Sequence, residues 1–231
     1  MTINEVRILA YDPGITYCGW ALNHFDIARN HHHIKQHGTL TNRDVLKRQK
    51  ELKGIFSPAF ITLDAYHLQF VDHIITYAPH FVVTEGAFMH KFPKAFASLV
   101  MVIHEIRKAS RLCLNQDVQE IAPQENKRIV STKASSDKDA MAVALAGMNN
   151  VTIDHDAIRD TSSVLGDMST HAVDAACVSI SFAIDYLPSI VSGKGIVDRS
   201  PISIRKYYSE QLQKRNTWSH DHAPVLATNG E

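Results

Sequence analysis

Apolar and polar positions along the chain form short alternating runs near the start and helical spacings further on. Arg7 to Tyr11 is an apolar run that ends in Asp12-Pro13-Gly14, a turn signature, and Tyr17 to Asn23 resumes the pattern, so the two predict a hairpin. Ile34 to Leu40 supplies a third antiparallel strand, with the histidine-rich Asn30 to His33 as its connection. From Asp44 to Tyr77, Val45, Leu46, Leu52 and Ile55, then Leu63, Leu68, Phe70, Val71, Ile74 and Ile75, recur at helical spacing. The interruption at Ser57-Pro58 predicts one kinked helix or two. Phe81 to Glu85 reads as a strand, Pro93 to Arg111 as a helix with proline in its first turn, and Val118 to Ala122 as a further strand. Pro123 to Val130 and Asp137 to Met148 read as short helices, the second opened by Ser135-Ser136-Asp137. The polar stretch Asn149 to Thr170 reads as a surface loop. His171 to Leu187 is a strongly apolar helix predicted to stop at Pro188.

These elements predict an α/β fold: a mixed five-stranded sheet, made of a three-strand antiparallel meander plus parallel strands, flanked by helices. With 231 residues, 45% of them apolar, the chain can bury one full core and an appendage. The boundary falls at Pro188. Residues 1–188 form the predicted domain, and residues 189–231 an extension with a linker (Gly193 to Ser200), a basic helix (Ile202 to Arg215) and a disordered end (Asn216 to Glu231). Basic and acidic residues balance at 24 each, so any nucleic-acid surface is a local patch rather than a global field. Cys18, Cys113 and Cys177 form no CxxC pair and read as reduced core thiols. Met1 to Arg7 carries charge and no apolar run, and no stretch approaches about 20 uninterrupted apolar residues, the length of a membrane span. A soluble, intracellular (cytoplasmic) protein is expected, with no membrane partner.

Three acids stand where an apolar scaffold would hold them. Asp12 ends the first strand at a glycine turn, Glu85 ends a later strand and is also followed by glycine, and Asp174 interrupts the helix His171-Ala172-Val173-Asp174-Ala175. A bare carboxylate inside an apolar helix is costly unless paired or metal-bound. His171 precedes Asp174 by three positions, which at about 100° per residue sets both on one helix face. Singly, Asp12 is ordinary turn chemistry, Glu85 a solvated strand end, and His171 a locally bonded helix start. Together they offer the hard oxygen donors that Mg²⁺ takes, and phosphodiester hydrolysis by two ions about 3.5–4 Å apart needs such a convergence.

The same residues resemble a known family, the RuvC-type crossover-junction (Holliday-junction) endonucleases of the ribonuclease H-like superfamily. Ile8 to Trp20 resembles that family's opening strand, Asp-Pro-Gly turn and glycine-containing second strand. Thr84-Glu85-Gly86-Ala87-Phe88-Met89 is similar to its second motif, Ala122-Pro123-Gln124-Glu125-Asn126-Lys127 to its third, and His171 to Ala175 to its last, in the same order. The resemblance covers Arg7 to Leu187. It implies a ribonuclease H-like sheet and a structure-selective endonuclease that resolves four-way DNA junctions by paired symmetric nicks, with two Mg²⁺ per active site. By it, Asp12, Glu85, His171 and Asp174 are metal ligands and Lys127 is catalytic. Members usually carry Asp where this chain has His171, although His is a recognised variant, so Asp167 stands as an alternative fourth donor. An imidazole ligand would favour tolerance of Mn²⁺. Phe88 corresponds to the family aromatic that enters the junction, and Lys138 to a lysine near the cleft.

Between His90 and Lys133 the basic residues Lys91, Lys94, Arg107, Lys108, Arg111, Lys127, Arg128 and Lys133 exceed the acids, which predicts a local phosphate-binding patch with Lys91, Lys94 and Arg128 as contacts. A second basic group, Arg205, Lys206, Lys214 and Arg215, lies in the extension. The resemblance implies a homodimer matched to the two-fold junction. Phe96, Leu99, Val100 and Ile103 are the interface candidates, with core packing as the ordinary alternative. The histidine-rich stretch lacks cysteines at zinc spacing and reads as a polar connection. Rival readings are a ribonuclease H-like nuclease for other branched DNA, flaps or RNA-containing substrates; an actin-like ATPase, whose fold needs a longer chain and more phosphate loops; and a nuclease-dead junction-binding scaffold.

Overall fold

Alternation in the first strand sets the two faces of the sheet. β1 (Glu5–Asp12) and β2 (Tyr17–Asp26) pair antiparallel, with Asp12 opposite Gly19. At Gly14 a Cβ would lie 2.3 Å from the Tyr17 carbonyl oxygen, so only glycine closes the turn between them. β3 (His31–Thr41) completes the meander. β4 (Phe81–Glu85) joins the free edge of β1 in parallel, and β5 (Gln119–Ile121) joins β4 in parallel. This computed structural model describes residues 4–87, 93–129, 138–154 and 168–194.

Two features of the sheet differ from the expectation. A sixth strand, β6 (Val151–Ile153), pairs in parallel with β3 and gives the order β5-β4-β1-β2-β3-β6. It lies within the stretch read as a loop, because three residues are too few to display a period. The histidines also belong to β3 itself, and the connection is the turn before them, where Asn30 has φ 49°. His32 is fully buried, stacks on Phe25 at 4.5 Å between ring centres and pairs with Asn23 through Nδ1 at 3.0 Å. A neutral imidazole thus serves as a core aromatic, which residue polarity alone conceals.

Helices cover both faces. α1 (Asn42–Arg48) is capped by Thr41, and a 3₁₀ turn (Lys50–Gly54) leads to α2 (Pro58–Tyr77), where Ser57 accepts from the Phe60 N–H and Pro58 occupies the first turn. The predicted interruption at Ser57-Pro58 is therefore a cap. On one face Tyr11 and Trp20 meet Phe70 and His73 of α2, and α3 (Pro93–Leu114) packs along α2. On the other lie α4 (Pro123–Ile129), α5 (Lys138–Ala146) and α6 (Thr170–Ser181). Val6, Ile8, Ala10 and Val83 pack there against Val178 and Phe182, while Ala21 and Ile34 pack against Val173, Ala176 and Ile180. Each fully buried aliphatic contributes about 1.5–3 kcal/mol, so Ile180→Ala would cost about 2–5 kcal/mol.

The apolar helix does not stop at Pro188. It passes through a π turn (Phe182–Tyr186) into α7 (Leu187–Lys194), where Pro188 is the second residue. The backbone stays right-handed helical through the wide turn, so Pro188, which has no N–H to donate, is carried inside a continuous run next to the point where the ladder already shifts. Thr170–Ile190 is long and apolar enough to cross a membrane, yet 61% of its most apolar stretch is buried inside the fold, as a core helix is.

Candidate active site

The side chains of β1 that face α6 are Val6, Ile8 and Ala10, and Asp12 is next in that alternation. Val83 of β4 faces the same way, so Glu85 does too. The register pairs Ala10 with Val83 and Tyr11 with Thr84, and one further step brings Asp12 beside Glu85. Two carboxylates therefore leave the sheet at the same edge and on the same face, placed there by alternation and register alone.

α6 delivers the other two groups because β2 has no side chain in its way. A Cβ on Gly19 would lie 2.0 Å from the His171 carbonyl oxygen and 2.8 Å from the His171 Cβ. Ser169 caps the helix by accepting from the Ala172 N–H, and its hydroxyl also bonds Thr39 of β3. Held this close, His171 Nδ1 lies 2.8 Å from Asp12 Oδ2. One ligand atom each from Asp12, His171 and Asp174 lies within 4.8 Å of the others, which suits a shared cation. Glu85 falls outside that group of three but lines the same cavity of about 510 Å³, together with Lys127, Asn126, Ser98 and Leu99.

Burial pushes the Glu85 carboxyl up to about 8, with Asp12 and then Asp174 adding to the rise; hydrogen bonding from Asn126 and the charge of Lys127 oppose it. Three carboxyl groups crowd a partly buried space, and a divalent cation would relieve that crowding. The donor set of carboxylate oxygens and one imidazole therefore fits Mg²⁺ or Mn²⁺. Burial also raises the thiols of Cys18 and Cys177, and that of Cys113 to about 11, so all three remain protonated core residues.

Lys127 is the one predicted basic residue that lines the cavity, among the described side chains. Lys94 is exposed on the first turn of α3, and Arg128 is exposed and pairs with Asp185 at 3.4 Å. Arg107, Lys108 and Arg111 pair with Glu105, Asp117 and Glu120, so these three cations are engaged with neighbouring acids. Lys138 begins α5, but its side chain lies outside the description, as do Phe88, Lys91, Lys133, Asp167 and the extension from residue 195 onward. In the proposed interface stripe, Ile103 is core, Leu99 faces the cavity, Phe96 is half-buried and Val100 is exposed.

Sequence reasoning assigned no role to four residues at this site. Gly19 and Asn126 stood inside quoted motifs, Gly19 as a clearance and Asn126 one position before Lys127. Tyr17 is 50% exposed, with its ring stacked over His171 at 5.4 Å and 17°. Tyr66 donates its hydroxyl to the Leu40 carbonyl at 3.1 Å and the Ile15 carbonyl at 3.4 Å, which ties α2 to the turn after Asp12.

No family profile and no curated protein matches the chain by sequence. Solved structures do match. Thermus thermophilus RuvC superposes with a TM-score of 0.56 at 14% identity, over 77% of this chain and 93% of that one. The same protein in complex with Holliday-junction substrate gives a TM-score of 0.56 at 14% identity, over 77% and 92%. The yeast mitochondrial Holliday junction resolvase Ydc2 gives 0.54 at 12% identity, over 79% of each chain. The six-stranded mixed sheet and its flanking helices are thus the ribonuclease H-like fold of the RuvC-type junction resolvases.

Proposed function

We propose that this protein is a structure-selective endonuclease that resolves four-way DNA junctions by metal-dependent phosphodiester hydrolysis. One observation carries the reading: Asp12, His171 and Asp174 converge within 4.8 Å, in a cavity they share with the buried Glu85, on a junction-resolvase fold. Asp12, Glu85, His171 and Asp174 would hold two Mg²⁺, with Mn²⁺ as a substitute. When bound, such ions supply an activated water and stabilise the leaving oxygen.

The protein's own groups do the positioning. Asp12 and Glu85 are fixed by the sheet, and His171 and Asp174 by a helix capped and packed at its first turn, so the donors require little reorganisation. Lys127, on the cavity wall near Glu85, would meet the negative charge that grows on phosphate as the P–O ester bond breaks and a water-derived P–O bond forms. Phe88, Lys91, Lys94, Arg128 and Lys138 are the proposed DNA contacts around it. A homodimer carrying two such sites would nick the two equivalent strands symmetrically.

Labelled four-way junction, duplex, flap and RNA–DNA hybrid, each incubated with Mg²⁺, test the substrate. Paired symmetric nicks in the junction, with the others left intact, are expected. Preferential cutting of flap or hybrid would replace the junction reading with a broader nuclease on the same fold.

A further inference from the structure

The face of α6 that carries His171 and Asp174 continues to Ser181, which is seven residues beyond Asp174 and thus about two turns along the helix. Ser181 is fully buried, and its hydroxyl donates to the Oδ1 of Asn126 at 3.0 Å. Asn126, on α4, is only 1% exposed and lines the same cavity as Glu85, where hydrogen bonding from its side chain counters the rise of the Glu85 carboxyl. With the amide oxygen engaged by Ser181, the amide NH₂ is the end presented to the Glu85 carboxylate.

The flanks of this contact are also bonded. Tyr186 donates its hydroxyl to Glu125 at 3.0 Å, and Arg128 reaches Asp185 at 3.4 Å. Ser181 immediately precedes the π turn and Asp185 and Tyr186 lie in it, and its wider pitch lets positions four and five apart face one partner. α4 is thereby held against the helix that carries two of the proposed ligands.

We propose that Asn126 is a positioning residue for the metal centre: oriented by Ser181, it fixes the Glu85 carboxylate toward the cavity, coupling the strand-borne ligand to those on α6. This rests on the metal-dependent reading above. Ser181 is not among the residues lining the cavity, and Asn126 acts through Glu85. A hydrogen-bonded partner behind a ligand typically sustains about 10–100-fold in metal affinity.

Mn²⁺ binding by calorimetry, with thermal melts, on wild type, Asn126→Val, Ser181→Ala, Ser181→Thr, the Asn126→Val/Ser181→Ala pair and Asp12→Asn tests the relay. Asn126→Val is expected to weaken Mn²⁺ binding by about ten-fold or more. Ser181→Ala should show a smaller loss that adds nothing to the double variant, and Ser181→Thr should retain wild-type affinity. Wild-type affinity in Asn126→Val, or fully additive losses, would overturn the proposal. If Asn126→Val does not fold, unchanged affinity in Ser181→Ala does so. A wild type that binds no Mn²⁺, or an Asp12→Asn variant that binds it normally, would instead defeat the metal-dependent reading itself.

Discussion

Replacing Gly19 with alanine places one methyl group where the backbone of His171 already is. The added Cβ would meet the His171 carbonyl oxygen at 2.0 Å, whereas ordinary contact begins at 3.4 Å, so the start of α6 must retreat by about 1.4 Å. Overpacking of this kind costs about 1–3 kcal/mol of stability. The effect on catalysis is larger, since a misplacement of about 1 Å can cost about 100-fold in rate, and His171 and Asp174 both ride on the displaced helix. Gly38→Ala is the control, because its Cβ would meet the Trp20 side chain at 2.9 Å, on the face away from the site. Initial rates on a labelled junction, Mn²⁺ affinity and melting temperature of both variants make the comparison. Gly19→Ala should lose about two orders of magnitude in rate and weaken Mn²⁺ binding, while Gly38→Ala loses stability alone. If Gly19→Ala cleaves and binds Mn²⁺ as wild type does, the close seat of α6 does not position the site.

Three further outcomes follow from the electrostatics. Asp174→Asn removes one of the charges that crowd Glu85, so without metal it should melt at or above the wild-type temperature while losing cleavage; a lower metal-free melting temperature would contradict this. Because the Glu85 carboxyl is held up to about 8, metal binding below that pH must displace a proton, so Mn²⁺ affinity should rise from pH 6 to about 8, with proton release measurable in buffers of different ionisation enthalpy. His32 and His73 are buried and held neutral down to about 4, whereas in the unfolded chain they protonate near 6.5. The unfolded state therefore binds more protons in that window, and each histidine withdraws up to about 3 kcal/mol as pH falls from 6.5 to 4. Glu85, raised in the folded state, acts in the opposite sense between about 8 and 4.5. The contribution of His73 is thus isolated by comparing urea unfolding of wild type and His73→Phe, whose stability should fall less on acidification; parallel curves would refute it.

Long periodic elements were legible in the sequence because burial on one face forces a period. α2, α3 and the first two strands match their predicted places, and the caps at Ser57 and Pro58 announced the break before α2. β6 was illegible at three residues, and the run through Pro188 was hidden because a π turn has no composition of its own. His32 was misread because its polarity says nothing about Phe25 and Asn23, which enclose it. Asp12, Glu85, His171 and Asp174 were legible as acids and an imidazole set on apolar scaffolding. Their spatial partners were not: the helix seat at Gly19, the stack of Tyr17 and the bond from Ser181 to Asn126 join residues far apart in sequence. Counting charges along the chain also does not reveal which cations are already paired, as Arg107 and Arg111 are with Asp117 and Glu120.

Crystals of the protein soaked in Mn²⁺ and measured at the manganese absorption edge test the central claim most directly. Anomalous density among the carboxylates of Asp12 and Asp174 and the imidazole of His171, at roughly 2 Å from the ligand atoms and with Glu85 turned toward it, is the predicted result. Clear manganese density elsewhere with none in this cavity, in crystals of protein that cleaves junctions, would contradict it.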